Sequence, residues 1–200
     1  MLEITFTRTG PRRYRTTVRR DGTVFELRGF DRPAELPHDL AHFVAEREVG
    51  CRHGFWGCVA AGANFQSMTL VEGRRTPHWT ERSKQVLRRH HDQLTEAESL
   101  VGLLLELFAE GIGNDDQALR RRLARRWTPP RDAVRLGPAQ ARRACQALAD
   151  ARDRWQALPT GGNLTVTWTD PPPARPAGPD GPRRRRRPGR AAAGRPGRGC

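Results

Sequence analysis

His38 and His42 stand four residues apart, with Glu46 four further on, and this spacing is the sequence's one clear offer of chemistry. On a helix of 3.6 residues per turn, positions i, i+4 and i+8 drift by only about 40° per step, so the three side chains share a strip. Two imidazoles and a carboxylate on one strip suit zinc or another divalent metal ion. With three protein ligands and an open fourth position, metal-bound water becomes acidic enough to attack at neutral pH. Asp39, beside the first histidine, is then the candidate proton acceptor. Cys51 and His53 are alternatives to Glu46 as third ligand if the chain folds back after Gly50. The competing reading is structural: a polar strip opposite an apolar stripe is what any surface helix presents.

The other reactive residue types read as structural. Cys58 and Cys145 suit small buried thiols, since free cysteine is most often core. His90 and His91 lie in a charged stretch and read as solvated, and His78-Trp79 precedes a helix as a packing staple. Gly54-Phe-Trp-Gly57 reads as a packing corner. Arg183–Arg187 is a charge run able to meet nucleic acid or an acidic partner electrostatically. It has no interleaved aromatic residues for base stacking, so its plainer role is solubilising.

The strip needs a helix, and the pattern supplies one. Pro37 suits a first helical turn, Gly50 suits its end, and residues 37–48 between them carry an apolar stripe of Leu36, Leu40, Phe43 and Val44. Before it, Leu2, Ile4 and Phe6 alternate with polar residues, and Tyr14, Thr16 and Val18 repeat the pattern. With the Asp21-Gly22 turn and a third strand over 23–28, the N-terminus predicts a three-stranded antiparallel meander. After the histidine helix come a short Gly-rich helix or turn over 54–62 and a short strand within 64–72. A long helix is predicted over 81–110, then one beginning near Asn114 and one opened by Pro138. Leu164, Val166 and Trp168 alternate in a closing strand, expected to join the N-terminal sheet because its edge would otherwise be unpaired.

Composition sets the limits. The 200 residues carry a net charge of +14 and 36 % hydrophobic residues. Residues 171–200 contain no Val, Ile, Leu, Met or aromatic residue, and nothing in them offsets the entropy of ordering. The prediction is one domain over 1–170 and a disordered Pro/Gly/Arg-rich tail over 171–200. All but one of the 36 basic residues are Arg, which together with the abundant Ala, Gly and Pro reads as GC-rich coding, so the Arg excess alone is weak evidence for nucleic acid. The four cysteines make no disulfide framework, the N-terminus reads as a strand rather than an apolar signal, and no apolar run approaches a membrane span. A cytoplasmic protein without membrane contact is the expectation.

The run Leu-Pro-His-Asp-Leu-Ala-His-Phe-Val-Ala-Glu, followed by Gly-Phe-Trp-Gly and Gly-Ala-Asn-Phe, resembles a set of uncharacterised bacterial proteins of this size. The likeness covers about residues 1–110 and implies that residues 36–65 form the centre of the fold; it assigns no activity. Separately, His38-Asp39-x-x-His42 is similar to the zinc-protease motif His-Glu-x-x-His, with Asp39 one methylene shorter at the catalytic carboxylate. The sequence therefore predicts an α+β fold: a small antiparallel sheet packed with four to five helices. Its functional expectation is a metal site at His38, His42 and Glu46 serving a hydrolase. The alternative is a binding module that meets nucleic acid or an acidic partner through its basic surface and tail.

Overall fold

β1 (Leu2–Gly10), β2 (Arg13–Arg20) and β3 (Thr23–Arg28) form the meander that the alternation predicts, with Asp21 and Gly22 both at positive φ in the tight turn between the last two. The computed structural model describes residues 2–28, 36–127 and 136–170; the tail predicted over 171–200 lies outside them. The closing strand β5 (Asn163–Trp168) pairs antiparallel with β1, setting Leu2 against Trp168, Ile4 against Val166 and Phe6 against Leu164. A fifth strand, β4 (Met68–Glu72), adds to β3, so the sheet order is β4-β3-β2-β1-β5 and every pairing is antiparallel.

One face of this sheet is apolar: Leu2, Ile4, Phe6, Val18, Phe25 and Leu27 are buried. The other carries polar pairs such as Thr7, whose hydroxyl donates to Asn163 Oδ1 at 2.7 Å. Six helices, α1 (His38–Val49), α2 (Phe55–Ala60), α3 (Trp79–Arg89), α4 (His91–Ala109), α5 (Asp116–Arg126) and α6 (Pro138–Gln156), complete the described fold. This is the α+β architecture that the sequence predicts.

α1 departs from the simple two-faced helix of the sequence reading. Leu40, Phe43 and Val49 are buried as an apolar stripe should be, but Ala41, His42, Ala45 and Glu46 are buried too. The reason is its neighbours: α1 packs against α2, α4 and α6. The helix is enclosed on most sides, and the residues it leaves exposed are His38 at its N-terminal corner and Arg47 in its last turn.

The single helix predicted over 81–110 is two. The chain turns at His90 (φ −113°, ψ 18°) because its halves answer to different partners. Trp79 of α3 stacks on Phe25 of β3 at 5.1 Å, whereas α4 buries Ala97, Leu100, Val101, Leu104 and Leu107 and packs against α1 and α6. α6 opens at Pro138, as predicted, and buries Ala144, Leu148 and Trp155. Cys51, Cys58 and Cys145 are buried free thiols. No described helix is long and apolar enough to cross a membrane.

Candidate metal centre

α1 begins at His38, directly after Pro37, so His38 stands on the first turn and His42 one turn deeper. The ring centroids are 4.6 Å apart, as i, i+4 spacing predicts for side chains on one strip. His42 is 3 % exposed and its ring is engaged on both sides. Nδ1 lies 3.1 Å from Glu46 Oε1, and Nε2 lies 3.5 Å from Glu98 Oε2 on α4.

Glu98 is the residue the sequence reading misses. A donor atom each from His38, His42 and Glu98 lie within 4.8 Å of one another, and this group could hold a metal ion. Metal–nitrogen and metal–oxygen bonds of about 2.0–2.2 Å place two ligands of a tetrahedral ion about 3.3–3.6 Å apart. Rotation of the exposed His38 and Glu98 side chains, drawing the donor atoms together by up to about 1.5 Å, would close the group. The signal for Glu98 was faint but present: it stands three residues before buried Val101, an acidic side chain at the margin of an apolar seam.

Glu46 takes a different place from the one its spacing suggests. It is fully buried, and its carboxylate faces α2. Oε1 accepts from Phe55 N–H at 2.9 Å as well as from His42, and Oε2 accepts from Trp56 N–H at 3.0 Å. These backbone groups open α2 and have no partner within that helix, so the carboxylate satisfies them. The loop reaches it through Gly54, where an added Cβ would fall 2.5 Å from Glu46 Cδ. Glu46 thus stands behind His42, whereas Glu98 stands in front of it.

This order fixes the chemistry of the ring. With Nδ1–H donated to Glu46, Nε2 faces Glu98, the arrangement in which a carboxylate orients a metal-binding histidine. Burial alone would lower the His42 pKa. The hydrogen bonds to Glu46 and Glu98 outweigh it and carry the value up to about 9. Without metal, the ring is therefore an imidazolium held between two carboxylates, and a cation at Nε2 would replace its proton. Burial pushes the Glu46 carboxyl up against the pull of His42 and the two N–H groups. Glu98 is held below its ordinary range, chiefly by the hydrogen bond from His42.

The remaining predicted residues lie apart from this group. Asp39 faces the sheet: Thr16 donates its hydroxyl to Oδ2 at 3.0 Å, and Trp56 Nε1 donates to the Asp39 carbonyl at 2.9 Å. Burial raises the Asp39 pKa, opposed by Thr16 and by the two histidines. Cys51 is buried, its thiol pushed up to about 12 by burial and by nearby carboxylates, and it is not in the converging group. His53 stacks on His90 at the α3–α4 turn, with ring centroids 4.0 Å apart. Comparison with family models, curated proteins and solved structures gives no match for this chain.

Proposed function

We propose that this protein binds one divalent cation at His38, His42 and Glu98 and uses it to activate water, as a metal-dependent hydrolase does. The observation that carries the reading is the two-sided engagement of His42. A buried ring has one nitrogen held by a buried carboxylate and the other turned to a partly exposed carboxylate beside a second imidazole.

Two imidazoles and one carboxylate are a donor set of catalytic zinc sites, which leave a further position for water. Zinc is accordingly the cation we favour. Exposure of His38 and Glu98 gives water and substrate access to that position. The cation would supply Lewis acidity; Glu46 would keep the ring in its metal-binding tautomer. Asp39 is our candidate proton acceptor. Burial raises its carboxyl pKa, and Thr16 holds it one residue from His38.

The test is the metal content of protein purified without chelator or His-tag. The expected result is about one zinc per chain in the wild type, with loss of the metal in His38→Ala and Glu98→Gln. Wild-type protein with no stoichiometric metal, even after incubation with zinc, overturns the proposal. Metal that is retained equally by both variants assigns it to another site and overturns it as well.

A further inference from the structure

The basic residues of this chain are not all placed alike. On α5 and α6, Arg122 reaches Glu110, Arg126 reaches Glu106 at 2.9 Å, and Arg142 reaches Asp116. Around α3 the pattern changes. Residues 74–89 carry Arg74, Arg75, Arg82, Lys84, Arg88 and Arg89 against one carboxylate, Glu81, and all six cationic side chains are exposed. Lys84 takes Glu81 at 3.3 Å; among the described residues none of the five arginines has an ion-pair partner.

Helical geometry arranges part of this charge in a line. Arg82 and Arg89 are seven residues apart, so they lie about 20° from one another around the helix and about 10 Å apart along it. At the N-terminal end of the same helix is a cleft of about 280 Å³ lined by Arg20, Asp21, Thr23, Thr76, Trp79 and Arg82. Arg20 is 6 % exposed. Its guanidinium donates to the carbonyls of Val59 and Ala63 and to Asn64 Oδ1, and lies over the rings of Phe25 and Trp79. The Arg75 guanidinium is 5.9 Å from the Trp79 ring centroid. An arginine line therefore leads to a cleft with an aromatic wall and hydroxyl groups.

We propose that the outer face of α3 binds single-stranded nucleic acid, with Arg82 and Arg89 on the phosphodiester backbone and one unstacked nucleotide in the cleft beside Trp79. Guanidinium forks suit phosphate oxygens, and unpaired forks lose no protein partner on binding. The cleft favours a single strand over a duplex, because only an unpaired base is free to leave its stack and enter. An acidic polypeptide would match the charge but would leave the Trp79 wall without a base to pack on it. This inference is independent of the metal site.

The test is fluorescence anisotropy of the full chain with a labelled single strand of about 20 nucleotides, enough to span one binding site. Residues 171–200 are kept in every variant. The expected result is binding that Arg82→Glu/Arg89→Glu weakens by about tenfold or more, with the slope of log affinity against log salt falling by about 1.4 for two lost phosphate contacts. Arg82→Gln/Arg89→Gln gives the same direction with smaller loss and guards against a folding effect. Arg120→Glu/Arg121→Glu on α5 makes the same change in net charge and should weaken binding much less. No binding, equal loss from the α5 variant, tighter binding of the matching duplex, or equal competition by polyglutamate each overturns the proposal.

Discussion

His42 meets a carboxylate on each side, and the two differ in almost everything but chemistry. Glu46 is fully buried, reaches the ring from the same helix and also holds two N–H groups of α2. Glu98 has 60 % of its side chain exposed and comes from α4 across the helix packing. The first is part of the architecture: remove it and Nδ1 of the buried His42 ring and the N–H groups of Phe55 and Trp56 lose their acceptor. The second can move without disturbing the core. A metal site needs both kinds, a fixed support that sets the ring and an adjustable ligand that closes on the ion.

The sharpest way to break this comparison is to delete each carboxylate. Glu46→Ala should destabilise the protein by about 3–5 kcal/mol in denaturant unfolding, the cost of stripping one partner from a buried charged pair. Glu98→Ala should cost about 1 kcal/mol, the size expected for an ion pair with one largely exposed partner. Equal losses would erase the distinction between support and ligand.

Proton release from His42 comes next in size. Its folded pKa, about 9, is raised above the ordinary value of 6.5, so the folded protein holds this proton more tightly than the unfolded chain. The contribution is complete below about pH 6.5 and disappears as pH rises through about 9; its full size is on the order of 3 kcal/mol. Urea unfolding of metal-free wild type should show this loss between pH 6.5 and 9.5, and His42→Gln should lack it. A wild-type stability that climbs over this range as it does in His42→Gln would contradict the imidazolium assignment.

Gly54→Ala tests the support from its far side. The added methyl collides with the Glu46 carboxylate, so a loss of about 1–3 kcal/mol is expected in thermal or denaturant unfolding. Gly102→Ala on α4 is the contrasting substitution. Nothing lies within 4 Å of its added Cβ, and better helix propensity should stabilise by about 0.5–1 kcal/mol. A Gly54→Ala variant as stable as wild type would mean that the loop does not close on Glu46.

The contrast between the two glutamates also marks what the sequence could and could not reveal. Alternation in Leu2-Ile4-Phe6 and Leu164-Val166-Trp168 specified strands, and the need to cover an edge placed β5 on β1. The His38–His42 spacing specified two neighbouring rings because a helix makes i and i+4 neighbours whatever surrounds it. The third acidic residue was a matter of tertiary packing. Glu46 has the right spacing on α1, but the Gly54 loop folds back and takes its carboxylate, while α4 brings Glu98 from 56 residues beyond His42. The turn at His90 was hidden for a similar reason: apolar spacing continues through it, and only the different partners of α3 and α4 require the bend.

The most direct measurement of the central claim is a cobalt(II) titration of metal-free protein followed by its visible ligand-field absorption. Saturation is expected at about one equivalent, with the intense bands of a four- or five-coordinate N/O site. Those bands should weaken or vanish in His38→Ala and Glu98→Gln, and persist with lower affinity in Glu46→Gln. A wild type that shows only the pale spectrum of aqueous cobalt, or variants that titrate as the wild type does, would contradict it.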